Sequence, residues 1–168
     1  MHPAENKKME NRKMPKQQGT QAVPRIDREL CFPMYACSRE IIRLYTPFLE
    51  DMGLTYTQYM TMMVLWERKQ AKVKELGDAL YLNSVTLTPV LKKLEAKGFL
   101  TRNRMKSDER NVLVQITPAG EQLEAKASGI SEIILRELGL EENEIKVMYI
   151  LSYKVLNRIA ASRDEEQE

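Results

Sequence analysis

The chain has 168 residues, of which 30% are charged and 43% are hydrophobic, with a net charge of +2 at pH 7. This length and composition predict one soluble globular domain with a real core, and so small a net charge indicates no class of partner by itself. No apolar run reaches the roughly 18 residues of a membrane span, and no apolar stretch follows the basic N-terminus, so we expect a cytoplasmic protein without membrane contact.

Basic residues are concentrated in two parts of the chain. Residues 1–25 hold six Lys and Arg against two Glu, and residues 71–118 hold nine against five acidic residues, whereas residues 163–168 hold one against four. Residues 1–25 also have almost no large apolar side chains, which predicts a disordered basic tail. This tail is either a solubilising extension or, less simply, an arm that attracts nucleic-acid phosphates.

Helical spacing of apolar residues begins near Leu30 and ends before Gly53. Pro33 fits only the first turn of this helix, which would place Cys31 at or just before the helix N-terminus. Further helices are predicted at about 56–69, 72–80, 84–97, 118–136 and 141–161.

The helix at 84–97 has the signals of a recognition helix. Asn83 or Ser84 can cap its start, and Gly98 ends it. Pro89 leaves two starting points open: at Thr88, or at the cap with a proline one turn in. Its first residues, NSVTLT, carry short hydroxyl and amide side chains that can approach base edges and phosphates.

Two strands follow, because the hydrophobic period changes after Gly98. FLTRNRM, residues 99–105, and RNVLVQIT, residues 110–117, are joined by a polar turn and predict a β-hairpin. A hairpin rich in Lys and Arg can enter a minor groove or contact the DNA backbone. The order of helices and hairpin predicts a mainly α, winged helix-turn-helix fold with a DNA-binding region at 56–117. The residues predicted to contact DNA from this placement are Asn83, Ser84, Thr86, Thr88, Lys92, Arg102, Arg104, Lys106 and Arg110.

The segment DERNVLVQIT, residues 108–117, resembles the wing signature of the MarR-type winged-helix regulators. Residues 30–123 resemble one branch more closely, the OhrR-type repressors that sense organic hydroperoxides. The segments that carry this resemblance are LCF, YACSREIIRLYTPFL, LTYTQYMTMMVLWE, LGDALYLNSVTLTPVLKKLEAKGFLTR and the wing.

The resemblance implies a homodimer that binds a palindromic operator, with N- and C-terminal dimerisation helices in residues 26–55 and 118–163. It implies that Cys31 is the peroxide sensor, and that Tyr45 and Tyr56 hydrogen-bond its sulfur across the dimer interface. It also implies that Asp108 and Arg110 form the DNA-binding pair of the wing. Oxidation of Cys31 by an organic hydroperoxide would release the operator.

Cys37 departs from this pattern, as do the long tail and Pro33, and no cysteine follows Cys37. On one helix, side chains six residues apart point about 120° apart, and their Cα atoms are separated by about 9 Å along the helix axis. A disulfide requires Cα atoms about 4.4–6.8 Å apart. We therefore expect Cys37 to be a packing residue. Oxidised Cys31 should instead form a mixed disulfide with a low-molecular-weight thiol.

Other interpretations of the same residues remain open. Among DNA-binding proteins, the chain could be a MarR-type repressor that responds to a small phenolic ligand. From other classes, it could be a thiol peroxidase or a protein-interaction module. Cys31 could be a buried structural cysteine, and the tyrosines could be packing residues. The chain has no Cys-x-x-Cys motif and no Thr-x-x-Cys motif with a nearby basic partner, so we expect no enzyme. Oxidation of a thiol needs no set of metal ligands, so we also expect no metal and no cofactor.

Overall fold

The computed structural model describes residues 25–105 and 108–165, without the side chains of residues 27, 105, 108–110 and 163–165. The predictions for the basic tail before Arg25 and for Lys106 therefore lie outside the described residues. The described part of the chain divides into two compact units, with the boundary between Arg43 and Leu44.

The first unit contains a short 3₁₀ turn, Ile26–Arg28, and the first part of helix α1, which runs from Cys31 to Asp51. Cys31 is the first residue of α1, so the predicted start of this helix is confirmed. Pro33 lies in the first turn, where a backbone N–H has no intrahelical acceptor, and therefore costs the helix no hydrogen bond.

The second unit is a winged helix, as the sequence predicted, followed by three helices where the sequence predicted two. Its helices are α2 (Tyr56–Arg68), α3 (Val73–Leu80), α4 (Ser84–Ala96), α5 (Pro118–Ala127), α6 (Ile130–Glu137) and α7 (Glu142–Glu165). Its strands are β1 (Gln70–Lys72), β2 (Leu100–Met105) and β3 (Asp108–Ile116). The fold is thus mainly helical with one small antiparallel sheet.

The sheet has the order β1-β3-β2, so the predicted hairpin β2–β3 is extended by a third strand. Ala71 of β1 and Arg102 of β2 both pair with Val114, which is fully buried at the centre of the sheet. Helices α2, α3 and α4 contribute most of the remaining core. Its fully buried apolar side chains are Met62, Leu65, Leu76, Leu87, Leu91, Leu94 and Leu100.

The structure differs from the sequence prediction in one helix and decides between the two alternatives in another. The helix expected at 118–136 is two helices, because Gly129 adopts a left-handed conformation with φ of 80° between α5 and α6. The start of α4, which Pro89 left open, is at Ser84, and the proline lies one turn inside the helix. Among the described residues, no helix combines the length and the apolar character that crossing a bilayer requires.

Candidate functional site

The leading turn of α4 is held in place by its own polar side chains. The side-chain oxygen of Asn83 caps the helix by accepting the backbone N–H of Thr86 at 2.8 Å. The Thr88 hydroxyl donates to the Ser84 carbonyl at 2.6 Å. Two of the side chains predicted to read DNA are therefore engaged within the helix, while those of Ser84 and Thr86 are exposed.

The opposite face of α4 is fixed by three fully buried leucines, Leu87, Leu91 and Leu94. This anchoring leaves an outward face that includes Val85 at its leading end and Lys92 further along, both exposed. Val85 was not among the predicted DNA contacts, all of which are polar or charged residues.

The wing begins at an ion pair between α4 and β2. The Arg102 guanidinium donates to one Glu95 carboxylate oxygen from Nε at 2.9 Å and from an Nη at 2.5 Å, and the Arg102 backbone N–H donates to the other oxygen at 3.0 Å. These hydrogen bonds from Arg102 hold the pKa of the Glu95 carboxyl below its usual value. The predicted DNA contact Arg102 is therefore also a structural residue that joins the wing to the recognition helix.

The other predicted wing contacts lie further out. Arg104 is an exposed residue of β2 that pairs with Val112. Asp108 and Arg110 belong to β3, but their side chains, like the whole of Lys106, lie outside the described residues.

An open cavity of about 470 Å³ lies in front of the recognition helix, between α3, α4 and the base of the wing. Its polar lining brings together predicted DNA contacts from α4 and β2 with charged residues of α3, namely Lys74, Asp78, Asn83, Ser84, Thr88 and Arg102. The fold thus assembles these separated residues into one concave surface.

Cys31 and Cys37 both lie in the first unit, and both are exposed free cysteines on the continuous helix α1. Because they are six residues apart on this helix, they are separated by about 9 Å along its axis, which is too far for a disulfide between them. Cys31 is not buried by the fold of its own chain.

In the second unit, Tyr45 and Tyr56 lie against one another, with ring centroids 5.1 Å apart. The buried Tyr59 contacts both, at 5.9 and 6.4 Å. Burial raises the pKa of Tyr56, and the neighbouring Tyr45 and Tyr59 raise it further. The Tyr56 hydroxyl therefore keeps its proton near neutral pH and remains a hydrogen-bond donor. Tyr59 was missed as a member of this cluster, since its spacing in α2 predicted only core packing.

The tyrosine cluster is connected to the start of α5 through Trp66. Tyr59 and Trp66 have ring centroids 6.0 Å apart, and the Trp66 indole N–H donates to the Gly120 carbonyl at 2.9 Å. Gly120 packs so closely on Phe99 that a Cβ at this position would lie 2.1 Å from the Phe99 carbonyl oxygen. The start of α5 is therefore pressed against the segment between α4 and β2.

Helix α7 carries apolar side chains that are exposed in the single chain. They are Val147, Met148, Tyr149, Ile150, Leu151, Tyr153, Val155, Leu156 and Ile159. Exposed apolar area of this extent typically marks a protein–protein interface.

A buried three-helix core, an outward-facing recognition helix and a two-stranded wing define a winged-helix transcriptional regulator. The family model "Transcriptional regulator SarA/Rot" matches residues 43–127. An organic hydroperoxide resistance transcriptional regulator of Bacillus subtilis is 38% identical over 135 residues, which cover 80% of this chain and 92% of the relative. The chain therefore belongs to the SarA/Rot family of MarR-type winged-helix regulators, which confirms the resemblance found in the sequence.

Two further proteins are similar to this chain. The HTH-type transcriptional regulator SarZ of Staphylococcus epidermidis is 39% identical over 71% of this chain and 80% of its own. AbfR, in the structure of its reduced form bound to DNA, has a sequence 35% identical to this chain. The two structures match with a TM-score of 0.67 over 78% of this chain and 93% of that chain. AbfR, a protein of Staphylococcus epidermidis, has also been solved overoxidized on DNA and with a disulfide formed.

Proposed function

We propose that this protein is a homodimeric, cytoplasmic repressor that releases a palindromic operator when an organic hydroperoxide oxidises Cys31. The observation that carries the proposal is the exposed thiol of Cys31 at the first residue of α1, in a chain similar to an organic hydroperoxide resistance regulator. Similarity to AbfR, solved on DNA in two redox forms, supports the combination of redox sensing and DNA binding.

The chemistry at Cys31 requires no metal and no cofactor. The thiolate sulfur attacks one peroxide oxygen, the O–O bond breaks, and the leaving alkoxide takes a proton to become an alcohol. The product is a sulfenic acid, with sulfur oxidised and the peroxide reduced. A small thiol then displaces the hydroxyl group as water and leaves a mixed disulfide. The hydroperoxide is the signal, and each protein molecule reacts with it once without turnover. The protein therefore acts as a regulator and not as an enzyme.

Tyr45 and Tyr56 are proposed to donate hydrogen bonds to the Cys31 sulfur of the partner protomer. The support for this role is their mutual contact in the second unit and the raised pKa of Tyr56, which preserves its hydroxyl proton. An adduct on the sulfur would displace these hydroxyls and alter the dimer. The two recognition helices would then no longer match major grooves about 34 Å apart.

The dimer is proposed to form through α7 together with α1. The exposed apolar side chains of α7 support this, because a single chain leaves them in water. Removal of residues 141–168 should abolish dimerisation and specific binding. Sedimentation of this truncated chain as a folded monomer that still binds operator would contradict the proposal.

A DNA-binding titration with and without an organic hydroperoxide tests the function directly. Wild type should release DNA after treatment with hydroperoxide and a small thiol, whereas Cys31→Ser should bind equally before and after. Cys37→Ser is the matched control, since it removes the other exposed thiol of α1, and it should respond like wild type. Intact-mass measurement should find one added thiol at Cys31 in both responsive proteins.

Three outcomes would contradict the proposal. Wild type could fail to bind DNA, or Cys31→Ser could still respond to hydroperoxide. A two-dalton loss that maps to a Cys31–Cys37 peptide, together with an unresponsive Cys37→Ser, would instead make Cys37 the resolving thiol.

A further inference from the structure

Val85, in the first turn of α4, is 80% exposed, the largest exposed fraction among the large apolar residues that the structure describes. Pro89, four residues later, is also exposed. Residues four apart lie on the same face of a helix, so the two side chains form a small apolar surface at the leading end of α4. Lys92 and Lys93, both exposed, follow one turn further along.

The polar side chains around Val85 are less available than the sequence indicates. Asn83 uses its side-chain oxygen to cap α4, and Thr88 donates its hydroxyl hydrogen to the Ser84 carbonyl. Few side-chain groups of this turn are therefore left to form hydrogen bonds with base edges. An apolar group in the major groove has one apolar counterpart on the base edges, the C5-methyl group of thymine.

We propose that Val85, with Pro89 beside it, contacts a thymine methyl group and makes the protein require thymine at a fixed position in each half-site. The inference rests on the proposed function, because it needs α4 to enter the major groove. Valine suits this contact because its χ1 angle is nearly fixed in a helix, so little side-chain entropy is lost on binding. Val85 and Pro89 would thus contribute a preference for one base sequence, which lysines that contact phosphates do not supply.

Deoxyuridine provides a direct test, since it pairs like thymine and lacks only the C5-methyl group. A duplex is first selected from a random library with the wild-type protein, and each thymine of the selected site is then replaced in turn. Loss of one buried methyl group predicts about fourfold weaker binding at one thymine per half-site. Replacement of both symmetry-related thymines should weaken binding more than tenfold.

Because both protomers carry the change, Val85→Ala should bind the thymine duplex about as weakly as wild type binds the duplex with both symmetry-related thymines replaced, and it should lose little more on deoxyuridine. The matched control is Thr86→Ser, which removes one methyl group from the neighbouring exposed residue and keeps its hydroxyl. This variant should retain the full fourfold sensitivity to deoxyuridine. Circular dichroism should find both variants folded, because both positions are exposed.

The inference is overturned if the selected site has no fixed thymine, or if Val85→Ala keeps the wild-type sensitivity to deoxyuridine. It is also overturned if Thr86→Ser alone loses that sensitivity, since the methyl contact would then belong to Thr86. These results leave the proposed function intact. Selection that enriches no sequence at all would instead overturn the proposed function, and this inference with it.

Discussion

The substitution Glu95→Gln tests whether the ion pair at the base of the wing stabilises the fold. Glutamine keeps an oxygen that can accept the backbone N–H of Arg102, but it removes the negative charge that the guanidinium contacts at 2.5 and 2.9 Å. The perturbation is therefore mainly electrostatic, with almost no change in volume.

The expected loss is about 1 kcal/mol of unfolding free energy. The side chains of Arg102 and Glu95 are 24% and 35% exposed, so water screens the pair, and an exposed pair would contribute only about 0.2–1 kcal/mol. The two guanidinium bonds to one carboxylate raise the value to the upper end of that range. For a chain of this size, a loss of 1 kcal/mol lowers Tm by about 2–4 °C.

The effect should depend on pH in a defined direction. Because Arg102 lowers the pKa of Glu95 in the folded state, its stabilisation is fully present above the unfolded-state value, near 4.5, and is lost as the pH falls through the lowered folded-state pKa. Urea unfolding of wild type and Glu95→Gln should therefore give a constant difference at about pH 6–7 that shrinks below about pH 4.5.

Glu67→Gln is the control, because Glu67 is an exposed carboxylate of α2. It should change stability by no more than about 0.5 kcal/mol, as surface substitutions usually do. Equal stability of Glu95→Gln and wild type at neutral pH, or a difference that does not change with pH, would refute the electrostatic account of this ion pair.

Other substitutions test the remaining parts of the molecule. Tyr45→Phe and Tyr56→Phe should leave DNA binding by the reduced protein intact and blunt release by hydroperoxide; wild-type sensitivity in a DNA-binding titration would make both simple packing residues. Arg110→Ala should weaken operator binding by about 1–3 kcal/mol and, if it contacts phosphate, reduce the salt dependence, whereas unchanged affinity across a salt series would exclude wing contact. Gly120→Ala should lower the unfolding free energy by about 1–3 kcal/mol, because the added Cβ meets the Phe99 carbonyl oxygen, and denaturant unfolding measures this loss.

The fold was predictable because its signals are local. Cap and stop residues such as Asn83 and Gly98 and the change of period after α4 specify elements over short windows. Strand β1 was missed because three residues carry no measurable period, and its pairing with β3 across about 45 residues depends on tertiary structure. The break at Gly129 was missed because the helical pattern continues on both sides.

The candidate site was predictable in its residue types and less so in its contacts. The sequence placed Arg102 in the wing, but it gave no sign that Glu95 holds its guanidinium. The family resemblance implied a shared role for Tyr45 and Tyr56, whose rings lie in contact in the structure, but it left out Tyr59. Each missed feature is a side-chain contact between different elements, which periodicity does not encode.

The segment between α4 and β2 connects the recognition helix to the rest of the second unit. The Lys97 ammonium donates to the Gly53 carbonyl and, at 3.2 Å, to the side chain of Gln58, which is 2% exposed. The Thr117 hydroxyl donates to the Gly98 carbonyl at 2.6 Å. Moving α4 alone would break these bonds at about 1 kcal/mol each, in addition to the buried leucine contacts. In the proposed dimer, release of DNA is therefore expected to change the spacing of two intact winged helices, with each recognition helix staying in place within its own protomer.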